Sequence, residues 1–264
     1  MSLSFTILGC GSSGGVPRVA QGWGACDPNE PRNTRRRCSA LVERTSTAGK
    51  TSVLIDTSPD LRMQLLGAGV TWLDGVLMTH AHADHVAGID DLRALVLVMR
   101  RRIDMHMDTP TSRVVLNSYS YIFHKPAGSS YPPILSEKRL EPGASVEIDG
   151  KGGAIQSLPF VVNHGESDAL GFRFGGLAYT PDANAIPPAA EAALQSLDVW
   201  VVDALRYAPH PSHFTLDETL AWIEKLKPRK AILTNLHTDL DYATLCARLP
   251  AGVEPAYDGM RIEF

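Results

Sequence analysis

Residues 79–85 read THAHADH, and the fold turns on how this stretch is read. The chain holds nine histidines, and His80, His82 and His85 crowd here with Asp84. The preceding DGVLM (74–78) is apolar enough for a buried strand that delivers them. In extended backbone, residues two apart point the same way, so His80 and His82 can reach one ion. Asp84 and His85 are adjacent, so they diverge and can address a second ion. One short loop thereby seeds two neighbouring metal sites, the arrangement that clamps both oxygens in a displacement reaction.

A metal site needs further ligands, and strand ends elsewhere offer them. His164 follows SLPFVVN, Asp182 follows GLAYTP, and His237 follows KAILTNL. Each is polar and sits just past an apolar run. The surrounding pattern is α/β. LSFTIL (3–8), CSALVER (38–44), SVLID (52–56) and DGVLMT (74–79) read as strands, and LRMQLLGAG as a helix with Pro59 at N1. Residues 89–102 and 111–123 are expected to be helical. Short strands are expected near 134–139, 144–148, 154–161, 169–174 and 177–180. The last third alternates: helix 188–196, strand 199–204, helix 215–226, strand 230–235, helix 241–248. No linker, repeat or low-complexity tract interrupts this. The pattern predicts two sheets face to face with helices outside, in one domain over residues 1–264.

Composition narrows the function. Hydrophobic residues at 44% and charged residues at 20% suit a globular chain. A formal net charge of −4 argues against a general nucleic-acid binder. No apolar run is long enough to span a membrane, and Met1 leads almost directly into the first strand, so a cytoplasmic chain is expected. Cys10, Cys26, Cys38 and Cys246 are widely spaced without a CxxC pair, which suggests reduced thiols. The loop GCGSSGG (9–15) lacks the GK[ST] of a Walker loop, and no helix follows it as a dinucleotide fingerprint requires.

HxHxDH at 80–85, then His164, Asp182 and His237 in order, with Asp56 in LIDTSPD, resembles the metallo-β-lactamase superfamily. The resemblance runs from TILGCGSSGGVP to His237. It implies a four-layer αββα sandwich with metals at one edge of the sheets. It places His80, His82 and His164 on one ion and Asp84, His85 and His237 on a second. Asp182 would bridge them, and Asp56 would orient a ligand histidine. None of these ligands is cysteine, unlike the zinc site of many true lactamases. Imidazole with carboxylate suits Zn²⁺ or Mn²⁺, and also iron. Two hard cations match an oxyanion, so phosphate esters lead as substrates.

Two segments resemble PhnP-type cyclic phosphodiesterases, relatives of tRNase Z: LGCGSSGGVPR…RRRCSALV at the start and HPSHFTLDETL at 210–220. This implies a small cyclic or nucleotide-like phosphodiester substrate, such as 5-phosphoribosyl 1,2-cyclic phosphate. Metal-activated hydroxide would attack, Asp84 would hold or accept its proton, and His213 would be the general acid, with His210 a weaker rival. Thr215 and Glu218 read as a capping box that places His213 at a helix N-terminus. Cys26 stands alone where PhnP-type enzymes carry a cysteine cluster, so no structural zinc is expected. No basic arm for tRNA lies between His164 and Asp182, so nucleic acid is not the expected partner. Arg36 and Arg37 could hold a substrate phosphate, and Tyr131 could stack on a base or sugar. A homodimer is compatible with the sequence. The competing readings are an iron oxidoreductase or sulfur-handling enzyme of the same fold, a tRNA 3′-end endonuclease, and a non-catalytic nucleotide sensor.

Overall fold

The structure is a computed structural model that describes residues 2–264. Its strands, in chain order, are β1 (Ser2–Gly9), β2 (Ser39–Ser46), β3 (Gly49–Ile55), β4 (Gly75–Leu77), β5 (Ile103–Met107), β6 (Leu135–Arg139), β7 (Val146–Ile148), β8 (Ile155–His164), β9 (Ser167–Phe174), β10 (Leu177–Thr180), β11 (Val199–Asp203), β12 (Lys230–Thr234), β13 (Val253–Pro255) and β14 (Arg261–Glu263). They form two sheets of seven strands, ordered β14-β1-β2-β3-β4-β5-β6 and β13-β12-β11-β10-β9-β8-β7. Each sheet begins as an antiparallel meander and continues as parallel strands.

The strands are buried on both faces, so they read as near-continuous apolar runs and not as alternating ones. Alternation nonetheless decides which layer each side chain joins. In β3, Val53 and Ile55 face the other sheet, where they meet Phe172, Tyr179 and Val201. Leu54 faces outward, with Leu41, Val76 and Met105, onto helices α1 (Leu61–Gly67), α3 (Leu92–Met99) and α4 (Thr109–Ser118). On the far side Trp200, Val202 and Leu233 pack against α7 (Leu216–Leu226) and α8 (Tyr242–Arg248). Phe5 and Tyr179 meet across the sheets with ring centroids 5.3 Å apart. The result is the four-layer αββα sandwich that the resemblance implies.

Two local expectations shift. Pro59 precedes α1 by two residues, because Asp60 is the N-cap and Leu61 the first helical position. β13 and β14 are three-residue strands, too short to register as a hydrophobic pattern. The capping box at Thr215 forms as read: its hydroxyl accepts from the Glu218 N–H, and the Glu218 carboxylate accepts from the Thr215 N–H. Among the described residues no helix is long and apolar enough to cross a membrane, and all four cysteines are free.

Candidate metal centre

The polar residues gather at one edge, where β3, β4, β8, β10, β11 and β12 all end. Asp56 follows β3 in a left-handed conformation, φ 60°, which Asp tolerates better than most residues. That turn buries its carboxylate completely. Its Oδ1 accepts from the Thr79 N–H at 2.8 Å, and its Oδ2 accepts from the Thr79 hydroxyl at 2.7 Å. The same Oδ2 lies 2.7 Å from His85 Nδ1. Burial pushes the Asp56 pKa up, against the pull of His85 and Thr79. Asp56 thus fixes the loop and one of its histidines at once.

Three imidazoles are oriented alike. His85 donates from Nδ1 to Asp56, His80 Nδ1 lies 3.0 Å from the Thr79 hydroxyl, and His164 donates from Nδ1 to the Ser212 carbonyl at 2.7 Å. Each contact fixes the ring so that Nε2 is aimed into the cluster. His82, exposed at the N-cap of the short helix α2 (Ala83–Val86), offers Nδ1 instead. That atom lies 2.9 Å from His80 Nε2 and 3.1 Å from His164 Nε2. Three nitrogens this close, facing one point, make a triad that could hold a cation.

Asp182, buried past β10, presents an oxygen to each side. Oδ1 lies 3.1 Å from His85 Nε2, while Oδ2 lies 3.9 Å from His80 Nε2 and 3.6 Å from His164 Nε2. Oδ1 has no well-formed hydrogen bond despite complete burial. Burial would raise the Asp182 pKa, but His85 and the other imidazoles outweigh it and hold the carboxyl well below its ordinary range. Burial pushes His80 well down, and pushes His164 down, so both are neutral and ready to bind a metal. Burial also opposes charge on His85, but Asp182, Asp56 and Asp84 hold its pKa well above the usual value. Three donor triads fit an ion: His80, His82 and His164; His80, His85 and Asp182; and His164, Asp182 and His213. Asp84 flanks the second, with Oδ2 3.6 Å from His85 Nε2.

His213 and His237 sit differently from expectation. His213 lies among the donors, its Nε2 3.9 Å from Asp182 Oδ2 and its ring 4.6 Å from that of His164. Its Nδ1 lies 2.7 Å from Asp203 Oδ2. Burial pulls the His213 pKa down, and the Asp203 carboxylate more than reverses this, to about 9. His237 is not drawn into the cluster. Asn235 turns left-handed after β12 at φ 61°, and the Leu236 N–H binds the Cys10 carbonyl, carrying His237 past the donors. There its Nδ1 is 3.0 Å from Asp239 Oδ1, and its Nε2 faces the Arg18 guanidinium. The assignment of His237 to the second ion is not what this geometry supports.

The substrate-contact candidates separate as well. Arg37 lines a cavity of about 460 Å³ that also touches Asp84. Arg36 does not; it turns to Asp258, 3.5 Å away. Tyr131 is exposed and belongs to a different cavity, with Arg93 and Tyr121. Asp203 and Arg18 were not read from the sequence. Asp203 carried a usable signal, since it ends the apolar run VWVVD as Asp56 ends SVLID. Arg18 carried none, for its partners are set by a loop. Cys26 is buried and accepts a weak bond from Arg35 Nη1 at 3.9 Å. Cys26→Ser should leave the metal content measured by mass spectrometry unchanged; loss of one zinc would mean this loop holds a structural ion.

Comparison with known proteins places this edge in context. A family model described as a beta-lactamase superfamily domain matches residues 51–235. An octanoyltransferase from Porphyromonas gingivalis (strain ATCC BAA-308 / W83) is 31% identical over 259 residues, covering 96% of this chain and 50% of that protein. The chain spans about half the length of the first curated relatives it matches. The crystal structure of a new diphosphatase from the PhnP family is similar, with 35% identity, a TM-score of 0.89, and coverage of 100% of this chain and 98% of that one. The Zn(2+)-bound PqqB from Methylobacterium extorquens shares the fold at 17% identity and a TM-score of 0.74, covering 99% and 100%.

Proposed function

The chain belongs to the beta-lactamase superfamily, and on that premise we propose a dinuclear, metal-dependent phosphodiesterase acting on a small cyclic or nucleotide-like phosphodiester, such as 5-phosphoribosyl 1,2-cyclic phosphate. The observation that carries this reading is His213, held by buried Asp203 at the rim of a His/Asp donor cluster. Asp203 turns His213 as Asp56 turns His85, and this leaves His213 Nε2 beside Asp182, where a departing oxygen could take its proton.

His80, His82 and His164 would hold one ion, and His85 with Asp84 a second, with Asp182 between them. When bound, divalent cations such as Zn²⁺ or Mn²⁺ neutralise phosphate oxygens and acidify water. The chain supplies the rest. Asp56, Thr79 and the Ser212 carbonyl fix the histidine rings. Asp84, partly exposed beside the cavity, accepts the proton of the attacking water. Asp203 keeps His213 turned with Nε2 toward the donors. From Nε2, His213 delivers a proton to the departing alkoxide, a group too basic to leave unaided.

The test is a screen of the Zn²⁺- and Mn²⁺-loaded protein against bis-p-nitrophenyl phosphate and five-membered cyclic phosphates. Turnover of at least one diester, abolished by chelator and restored by metal, is expected. A protein that binds two ions and hydrolyses no phosphodiester would overturn the proposal.

A further inference from the structure

We propose that Asn235 is a positioning residue for His213: together with Asp203, its side-chain amide fixes the ring so that Nε2 keeps its aim at the departing oxygen. The contact stands on geometry. Its use in a reaction rests on the phosphodiesterase reading.

Asn235 follows β12, and its backbone is left-handed, φ 61°. That turn is pinned on both sides. The Ala204 N–H donates to the Thr234 carbonyl at 3.0 Å, and the Leu236 N–H donates to the Cys10 carbonyl at 2.8 Å. The side chain therefore leaves the strand end in a set direction. Asn235 is 3% exposed, and its amide nitrogen lies 3.1 Å from His213 Nδ1. Asp203 Oδ2 reaches the same ring nitrogen at 2.7 Å from the end of β11. β11 and β12 are parallel neighbours, with Asp203 in register with Thr234. The two contacts thus come from adjacent strand ends. A single bond at Nδ1 leaves an imidazole free to swing about that bond. A second contact, from another strand, fixes the plane of the ring. With the plane it fixes the direction of Nε2, which lies 3.9 Å from Asp182 Oδ2.

The residue type meets two demands at once. Asn tolerates a left-handed backbone better than most side chains do. Its amide also carries a donor at one end and an acceptor at the other, and a half-turn exchanges them. It can therefore meet Nδ1 as an acceptor when that atom carries a proton, or as a donor when it presents a lone pair. Asp would accept the same turn, but it would set a second carboxylate against the nitrogen that Asp203 already serves. Glycine would accept the turn and offer no contact at all.

Asn235→Gly tests this, because glycine keeps the left-handed turn and deletes the amide. The zinc-loaded full chain, labelled with nitrogen-15 at histidine, is compared with the parent by NMR; the His213 signals are those missing from His213→Ala. The parent should show separate Nδ1 and Nε2 signals for a fixed ring, and in Asn235→Gly these should move toward each other as the ring loosens. Elemental mass spectrometry should find the metal content unchanged. On an alkyl phosphodiester kcat should fall about tenfold to a hundredfold, the range for residues that orient others, with KM little changed. On a p-nitrophenyl ester the loss should be much smaller. Parent-like His213 signals in Asn235→Gly would refute the proposal. So would loss of an ion, equal losses on the two esters, or moved signals with an unchanged rate on the alkyl ester. If the signals move and the parent hydrolyses no diester, the phosphodiesterase reading fails and the hold on His213 stands.

Discussion

Asp182→Ala removes at least one of two ions per chain, measured by elemental mass spectrometry, and lowers kcat/KM on a phosphodiester by more than about a hundredfold. That is the expected result, because removing even a residue that merely orients a metal ligand costs about 10–100-fold in affinity. Asp182 does more. Its two oxygens face different imidazoles, Oδ1 toward His85 and Oδ2 toward His80 and His164. Its carboxyl is held ionised by the imidazoles around it, His85 first, so it is a fixed negative charge at the centre of the donors. Asp182→Asn should do nearly the same, since it keeps the shape and loses the charge. Two ions retained in both variants would show that the carboxylate does not bridge.

His213→Ala should keep both ions and lose about 10²–10⁴ in kcat on alkyl phosphodiesters, the range of general acid catalysis. With p-nitrophenol as leaving group the loss should be much smaller, because that anion departs without a proton. The contrast between leaving groups is the informative quantity. His213 lies close enough to Asp182 and His164 to act as a donor itself. Loss of an ion in the Ala variant would make it a ligand. Equal losses on both substrates would make it a positioning residue. Either result removes the general acid.

The sequence made the metal edge legible because ligands at strand ends leave a local mark. An apolar run that stops on His or Asp shows both the strand and the residue it delivers, as at His80, His164 and Asp182. The alternation of Val53, Leu54 and Ile55 likewise encodes three layers. What stayed hidden depends on how loops run. His237 has the right residue type in the right place in the chain. Its direction is set by a left-handed Asn235 and by a bond from Leu236 to Cys10, hundreds of residues away in the chain. Arg18 meets His237 across a sequence separation of 219. No spacing rule reaches that far. The sequence marks Arg36 and Arg37 alike, and only the fold separates them: Arg37 lines the cavity beside Asp84 while Arg36 turns to Asp258.

The donors are contributed by both sheets: His80, His82 and His85 follow β4 in one, while His164 and Asp182 follow β8 and β10 in the other. The Leu170 N–H bonds the Thr79 carbonyl at 2.8 Å across the same gap. Two of the three donor triads draw on both sheets, so cations held there would act as rivets between two separately laminated plates. By thermodynamic linkage, each ion present at a hundred times its dissociation constant adds about 2.7 kcal/mol to the folded state. Total stabilities run to only about 5–15 kcal/mol. The lifetime of the fold would then be tied to the supply of metal around it, and starvation for metal would loosen the seam between the plates at this edge.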